Sequence, residues 1–178
     1  MATYNTDSDS ANTSVRAFLT KVGEYYLGRT FNTGSGWGKQ KWLEIKEVFG
    51  NSCAYCGINN VPLQIEHLEM FNKSQCGLHH PGNIMPACKN CNSSRDRNST
   101  WSEHLDTICS NNGENYLIKQ RLRKIDKHIE DSEYPKLTQE QFSAVKVIAE
   151  SLYKNVKTEG EKSLEMYKKL LENFIDSH

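Results

Sequence analysis

The chain has 178 residues, 22 Lys and Arg against 22 Asp and Glu, and 37% hydrophobic residues. That length holds one domain, or one domain with a helical appendage. No run of about 18 apolar residues occurs, so no membrane span is expected. The polar start MATYNTDSDSANTS lacks the apolar stretch of a secretory signal, so a cytoplasmic location is expected. The zero charge balance argues at first sight against a nucleic-acid partner, since such proteins usually carry a basic excess.

Residues 1–13 read as a polar, disordered tail. Thr13 or Ser14 is expected to cap a helix through Leu27, with Val15, Phe18, Leu19, Val22 and Tyr26 at helical spacing. A Gly-rich loop from Gly28 to Gly38 leads into a helix from Lys39 to Phe49, its apolar face Trp42, Ile45 and Phe49, stopped at Gly50-Asn51. The segment 51–100 loses helical periodicity and is rich in Asn, Ser, Cys and Gly. Leu63 to Leu68 alternates as a strand, 69–82 reads as a loop, and Asn83 to Asn92 passes from a short strand into a helix. From Trp101 onward the pattern is helical. Ile118, Leu122, Ile125 and Ile129 form one stripe, and Thr138 with Gln141 forms a capping box for a helix through Val156. A last helix from Glu161 to Ile175 is expected to turn Leu164, Tyr167, Leu171 and Phe174 inward. The fold class is thus α+β and mostly helical. Its parts are the tail (1–13), N-terminal helices and loop (14–50), a small central motif (51–100) and a C-terminal helical region (101–178).

Cysteine spacing is the most specific signal. Cys53 and Cys56 form one C-x-x-C pair, Cys88 and Cys91 another. Each pair lets two thiolates converge on one cation from a tight turn, and two pairs complete a tetrahedral structural zinc site. A lone redox pair, buried free thiols or a disulfide framework fits this pattern poorly. Cys76 and Cys109 have no partner spacing and read as small buried hydrophobes.

Between the pairs lie Glu66-His67 at the end of the strand-like run and Asn83. The second pair then continues as Cys88-Lys89-Asn90-Cys91-Asn92-Ser93-Ser94-Arg95. Over Ser52 to Asn98 this order resembles the HNH (ββα-metal, His-Me finger) endonucleases of the zinc-stapled type. The resemblance implies a ββα-metal motif at 51–100. It makes His67 the general base that deprotonates the attacking water. Glu66 and Asn92 become ligands of a catalytic divalent metal, and Asn83 the residue that ties the loop down and orients the histidine. Arg95 would lie near the phosphate, and Cys53, Cys56, Cys88 and Cys91 would hold structural Zn²⁺. The chemistry is sensible from below. A neutral histidine with a pKa of about 6.5 accepts a proton near neutral pH. A carboxylate and an amide oxygen suit Mg²⁺ or Mn²⁺ better than zinc. On a regular strand Glu66 and His67 face opposite sides, so both reach one site only where the strand ends or bends.

Outside the motif, His79 and His80 read as a polar surface loop, and His104 and His128 as surface residues. Candidate DNA contacts are Arg29, Lys39 and Lys41 around the Gly-rich loop, Lys89 and Arg97 in the motif, and Arg121, Arg123 and Lys124 on a basic helix. The loop reads equally well as a connector around a buried Trp37, and the basic helix as a solvated face. The expected partner is double-stranded DNA, with no membrane. The expected activity is that of a site-specific, restriction-type endonuclease acting as a homodimer on a symmetric site. A nonspecific, nicking or homing-type nuclease, a zinc-stabilised DNA-binding module and a protein-interaction zinc domain are the alternatives.

Overall fold

In the computed structural model, residues 6–96 and 98–175 are described. Helix α1 (Asp7–Leu27) is followed by α2 (Gly36–Val48), strands β1 (Leu63–His67) and β2 (Ile84–Cys88), and α3 (Lys89–Ser94). Helices α4 (Trp101–Asn111), α5 (Ile118–Asp131) and α6 (Gln139–Ile175) complete the chain.

Helix α1 starts well before the expected cap at Thr13 or Ser14, and the expected disordered tail is helical from Asp7. Thr6 caps it: its Oγ1 accepts the Asp9 N–H at 3.2 Å, and the Asp9 carboxylate accepts the Thr6 N–H at 3.1 Å. The apolar face also begins early, because Ala11 is fully buried one turn before Val15 and Leu19. Residues 1–5 lie outside the described residues.

The two strands form an antiparallel hairpin in which His67 pairs with Ile84, Glu66 with Met85 and Leu63 with Cys88. The connection returns through a 3-10 turn at Pro81–Asn83, and α3 begins as β2 ends. One core surrounds this hairpin and includes Phe31, Ile45, Phe49, Tyr55, Ile84, Met85, Leu105 and Ile125. Helices α2 and α5 cover it with the faces expected from their spacing, and α4 adds Leu105 and Cys109. A second core joins α1 and α6 around the loop between the strands, through Val15, Leu19, Cys76, Leu78, Val145 and Ala149.

Helix α6 corrects the expected pair of C-terminal helices. It runs unbroken for 37 residues through Gly160. A single interior glycine costs only about 1 kcal/mol relative to alanine, and the surrounding Lys and Glu are good helix formers. The expected inward face is also corrected: Leu164, Tyr167 and Leu171 are 55%, 59% and 43% exposed. The Phe174 side chain lies outside the described residues. Among the described residues no helix is long and apolar enough to cross a membrane.

Candidate active site

The four cysteine sulfurs converge. All lie within 4.8 Å of one another, and Cys56 Sγ and Cys88 Sγ are 3.9 Å apart. Sulfurs at about 2.3 Å from one tetrahedral zinc are about 3.8 Å from each other, so the donor set and its spacing fit that ion. The first pair sits on a tight turn in which Gly57 donates to the Cys53 carbonyl at 2.8 Å and adopts φ 73°. The Ala54 N–H donates to Pro86 O at 2.8 Å, which fixes this turn to β2. The second pair spans the end of β2 and the first turns of α3. The Cys91 thiol hydrogen-bonds the Cys53 sulfur and, with backbone N–H groups of Cys56, Cys88 and Tyr55, holds Cys53 well below the usual thiol range, to about 4. The same contact pushes Cys91 up. Cys76 and Cys109 are buried outside this cluster.

Glu66 and His67 leave β1 on opposite faces, as strand geometry requires. Glu66 points inward with 6% of its side chain exposed. Its Oε1 accepts Arg95 Nη1 at 2.6 Å and the Tyr55 hydroxyl at 3.2 Å. Burial pushes the carboxyl up and Arg95 opposes that rise. Arg95 also donates to His67 O at 2.7 Å, Leu68 O at 2.8 Å and Ser99 O at 3.3 Å. It is therefore a buried brace around the end of β1, which corrects the expectation that it lies near a phosphate. Asn92 donates its amide to Gln64 Oε1 at 3.0 Å and to Ile65 O at 3.4 Å. The expected ligand pair is thus committed to other partners. A carboxylate neutralised by a buried guanidinium and an amide presenting its NH₂ do not compose an open oxygen site for a hard cation.

Asn83 is 1% exposed and clamps the loop between the strands. Its Oδ1 accepts the Glu69 N–H at 2.7 Å, while Nδ2 donates to Glu69 O at 3.0 Å and Leu78 O at 2.8 Å. Its backbone carbonyl accepts from Leu68, the residue after His67, at 2.9 Å.

His67 is half-buried and faces the loop. Its Nε2 lies 3.1 Å from His79 Nδ1, and its ring stacks on Phe71 at 4.6 Å between centroids. Burial holds His67 far below the usual imidazole range, at about 3, and nearby His79, Arg16 and Arg95 act in the same direction. His67 is therefore neutral at physiological pH and has a lone pair to offer.

Several expectations about the other histidines are corrected. His79 is half-buried against His67 and Phe31, with ring centroids 4.8 Å apart in the latter pair. His80 is 2% exposed, and its Nδ1 accepts the Gly82 N–H at 3.1 Å, capping the 3-10 turn. His104 and His128 are 5% and 4% exposed, not surface residues. Their Nε2–H groups donate to Cys91 O and Ile84 O, each at 2.9 Å. A buried imidazole with a backbone carbonyl partner satisfies its polarity, which a reading by residue type alone does not foresee.

The expected DNA contacts divide. Lys39, Lys89, Arg123 and Lys124 are exposed. Arg29 is exposed and stacks over Trp37 at 4.1 Å, and Lys41 pairs with Glu44 at 3.3 Å. Arg121 is corrected: it is held by Glu114 at 2.8 Å and contacts Cys109 Sγ at 3.2 Å. Arg97 lies outside the described residues. The Gly-rich segment wraps an edge-to-face contact of Trp37 and Phe31, and a Cβ on Gly38 would lie 2.3 Å from Asn32 O. That closeness makes the loop a tight connector.

Arg16, Glu24 and Phe71 were missed by sequence reasoning. Arg16 is an exposed cation on α1 within electrostatic reach of His67, and Glu24, on the same helix, acts on His79 only through its charge, its oxygens being held by Lys21 and the Phe31 N–H. No local spacing signal links α1 to a motif more than forty residues away, because only the packing of α1 on the loop brings them together.

Among curated proteins the chain is similar to the "SPbeta prophage-derived putative HNH endonuclease YoqL" of Bacillus subtilis (strain 168). The two are 30% identical over 129 residues, covering 64% of this chain and 54% of that protein. The chain spans about half the length of the curated relative it matches. No family model matches the sequence, and no solved structure matches it.

Proposed function

We propose that this chain is a DNA endonuclease of the HNH class that hydrolyses phosphodiester bonds with His67 as general base. The observation that carries this reading is His67 at the end of β1, paired with Ile84 beside the Asn83 clamp, on a hairpin whose other end carries the four-cysteine cluster that joins β2 to α3. The name of the Bacillus subtilis relative carries the same family term. His67 accepts the proton of an attacking water. Asn83 fixes the loop on which the partner His79 is carried, and Arg16 offers a positive charge beside the reacting phosphate. The cysteines hold Zn²⁺ and staple hairpin to helix, since so small a motif has little core of its own.

Dependence on Mg²⁺ or Mn²⁺, with Glu66 and Asn92 as ligands, follows the resemblance. In the present arrangement a cation binds there only if Arg95 releases Glu66. Site-specific, restriction-type cutting of double-stranded DNA by a homodimer is the finer proposal. The exposed Leu164, Tyr167 and Leu171, three and four residues apart on α6, support pairing with a second copy.

The test is incubation of the zinc-loaded chain with mixed-sequence duplex DNA, with and without Mg²⁺ or Mn²⁺, followed by sequencing of the ends. Cleavage that disappears in His67→Ala supports the reading, and discrete ends support site specificity. Intact DNA in every mixture, or an equally active His67→Ala, overturns it. The closed Glu66–Arg95 pair favours a second reading, a zinc-stabilised DNA-binding module without catalysis. DNA binding in EDTA with no cleavage after metal addition selects that one.

A further inference from the structure

We propose that Tyr55, Glu66 and Arg95 are positioning residues for His67: they form a buried strut that ties its backbone to the four-cysteine cluster, with Glu66 serving as an acceptor inside the protein and not as a cation ligand. This inference rests on the reading of His67 as the catalytic residue. It departs from the ligand role that the family resemblance implies for Glu66.

The strut starts inside the first cysteine pair. Tyr55 sits between Cys53 and Cys56 and is fully buried. Its hydroxyl donates to Glu66 Oε1 at 3.2 Å, and the same oxygen accepts Arg95 Nη1 at 2.6 Å. That Nη1 also donates to His67 O at 2.7 Å, and Nη2 donates to Leu68 O at 2.8 Å. Hydrogen bonds therefore run without a break from the cysteine turn to the two peptide groups that follow the His67 side chain. A last bond, Arg95 Nη2 to Ser99 O at 3.3 Å, anchors the far end just before α4.

The second cysteine pair joins the same cluster. His104 Nε2 donates to Cys91 O at 2.9 Å, and its ring meets Tyr55 edge-on at 4.7 Å between centroids. Both pairs thus hold the tyrosine that holds Glu66. Partners around metal-binding residues commonly fix the ligands in place. Here they continue to the end of β1.

The residue types suit this role. A planar guanidinium reaches several acceptors at once, which the compact ammonium of lysine does not. Arg95 Nε is buried without a partner, so the group sits where its Nη bonds require although the fifth N–H goes unmet. Giving Glu66 to a cation would leave that guanidinium unpaired out of water and the Tyr55 hydroxyl without its acceptor, and an unpaired buried charge is strongly destabilising. Glu66 and His67 also leave β1 on opposite faces. The strut therefore grips the strand from behind and leaves the His67 ring to the other side.

The test uses the full, zinc-loaded chain. Leu68 N–H donates to Asn83 O at 2.9 Å, so its hydrogen exchange reports on the end of β1. Zinc content, Leu68 exchange and steady-state cleavage of duplex DNA are measured, and Mn²⁺ binding is followed by electron paramagnetic resonance. Tyr55→Phe removes one hydroxyl and keeps the ring against His104. It should retain one zinc per chain, exchange Leu68 about tenfold faster and lose about tenfold in kcat, with KM within about twofold. Arg95→Lys should shift both readouts in the same direction. Glu66→Gln keeps an oxygen for both donors, so it should protect Leu68 better than Glu66→Ala and give the same Mn²⁺ titration as the unmodified chain. Zinc content and circular dichroism identify a misfolded variant, and the mild Tyr55→Phe then carries the test.

Tyr55→Phe with Leu68 exchange and kcat unchanged overturns the strut. A lower melting temperature with kcat unchanged marks a purely structural contact and also overturns it. Mn²⁺ binding lost in Glu66→Gln with zinc intact makes Glu66 a ligand and overturns its acceptor role. If His67→Ala cleaves as well as the unmodified chain, the reading of His67 fails and the catalytic consequence falls with it. Leu68 exchange and the Mn²⁺ titration still decide whether the strut exists.

Discussion

At residue scale, the end of β1 holds a carboxylate and a guanidinium that are both almost wholly removed from water, 2.6 Å apart. Removing one partner of such a pair leaves an unpaired buried charge and typically costs about 3–5 kcal/mol. Arg95→Met and Glu66→Leu should each lower stability by about that amount in urea unfolding, with the double variant recovering much of the loss. Additive losses would show that the two residues do not act as a pair. His80 gives a second prediction. Burial, then the nearby His79, lowers its pKa to about 4, against about 6.5 in the unfolded chain. The unfolded chain therefore binds more protons between those values. The contribution is fully present above pH 6.5 and is lost as pH falls toward 4, on the order of 3 kcal/mol in all. Protonation at Nδ1 also removes the acceptor of the Gly82 N–H. His80→Asn, which keeps an acceptor without a titrating ring, should flatten the pH dependence of stability over that interval. Equal slopes in urea titrations from pH 4.5 to 7.5 would contradict this.

Among the elements, the hairpin and α3 depend on the cysteine cluster. Two five-residue strands and a six-residue helix bury too little to persist unaided. Atomic absorption should find one zinc per chain. Cys53→Ser or a strong chelator should lower the melting temperature steeply, since structural zinc contributes about 10 kcal/mol or more. A metal-free chain with an unchanged melting transition would remove the structural role. Much at this scale was legible beforehand. The strand at 63–68, the passage from strand to helix between Asn83 and Asn92 and the Thr138–Gln141 capping box rest on local spacing and local hydrogen bonds. The box is present, with Thr138 N–H donating to Gln141 Oε1 at 2.8 Å. The start of α1 was not legible. The pair Thr6 and Asp9 is a short cap signal inside a polar segment, and its weight comes from the complete burial of Ala11 in the folded chain.

For the whole molecule, α6 reaches beyond its partner and leaves Leu164, Met166, Tyr167, Leu170 and Leu171 in water. Sedimentation of the chain should show a dimer, and Leu164→Glu combined with Leu171→Glu should give a monomer with its zinc content intact. A monomer at all concentrations in the unmodified chain would sink the pairing. Charge also has to be judged at this scale. The zero sum in the sequence conceals that Arg16, Lys89, Arg123 and Lys124 are exposed, while Arg95 and Arg121 are held in ion pairs with Glu66 and Glu114.

The sequence by itself determined the cysteine frame, the order of Glu66, His67, Asn83 and Asn92, and most helices, because each depends on spacing within a few residues or on a fixed motif. Only the tertiary structure decided that Arg95 pairs with Glu66, that a half-buried His79 meets His67, and that His80, His104 and His128, expected at the surface, are buried. Those contacts join segments far apart in the chain. Burial, which sets both partner and protonation state, exists only once α1, the hairpin and α5 have packed together.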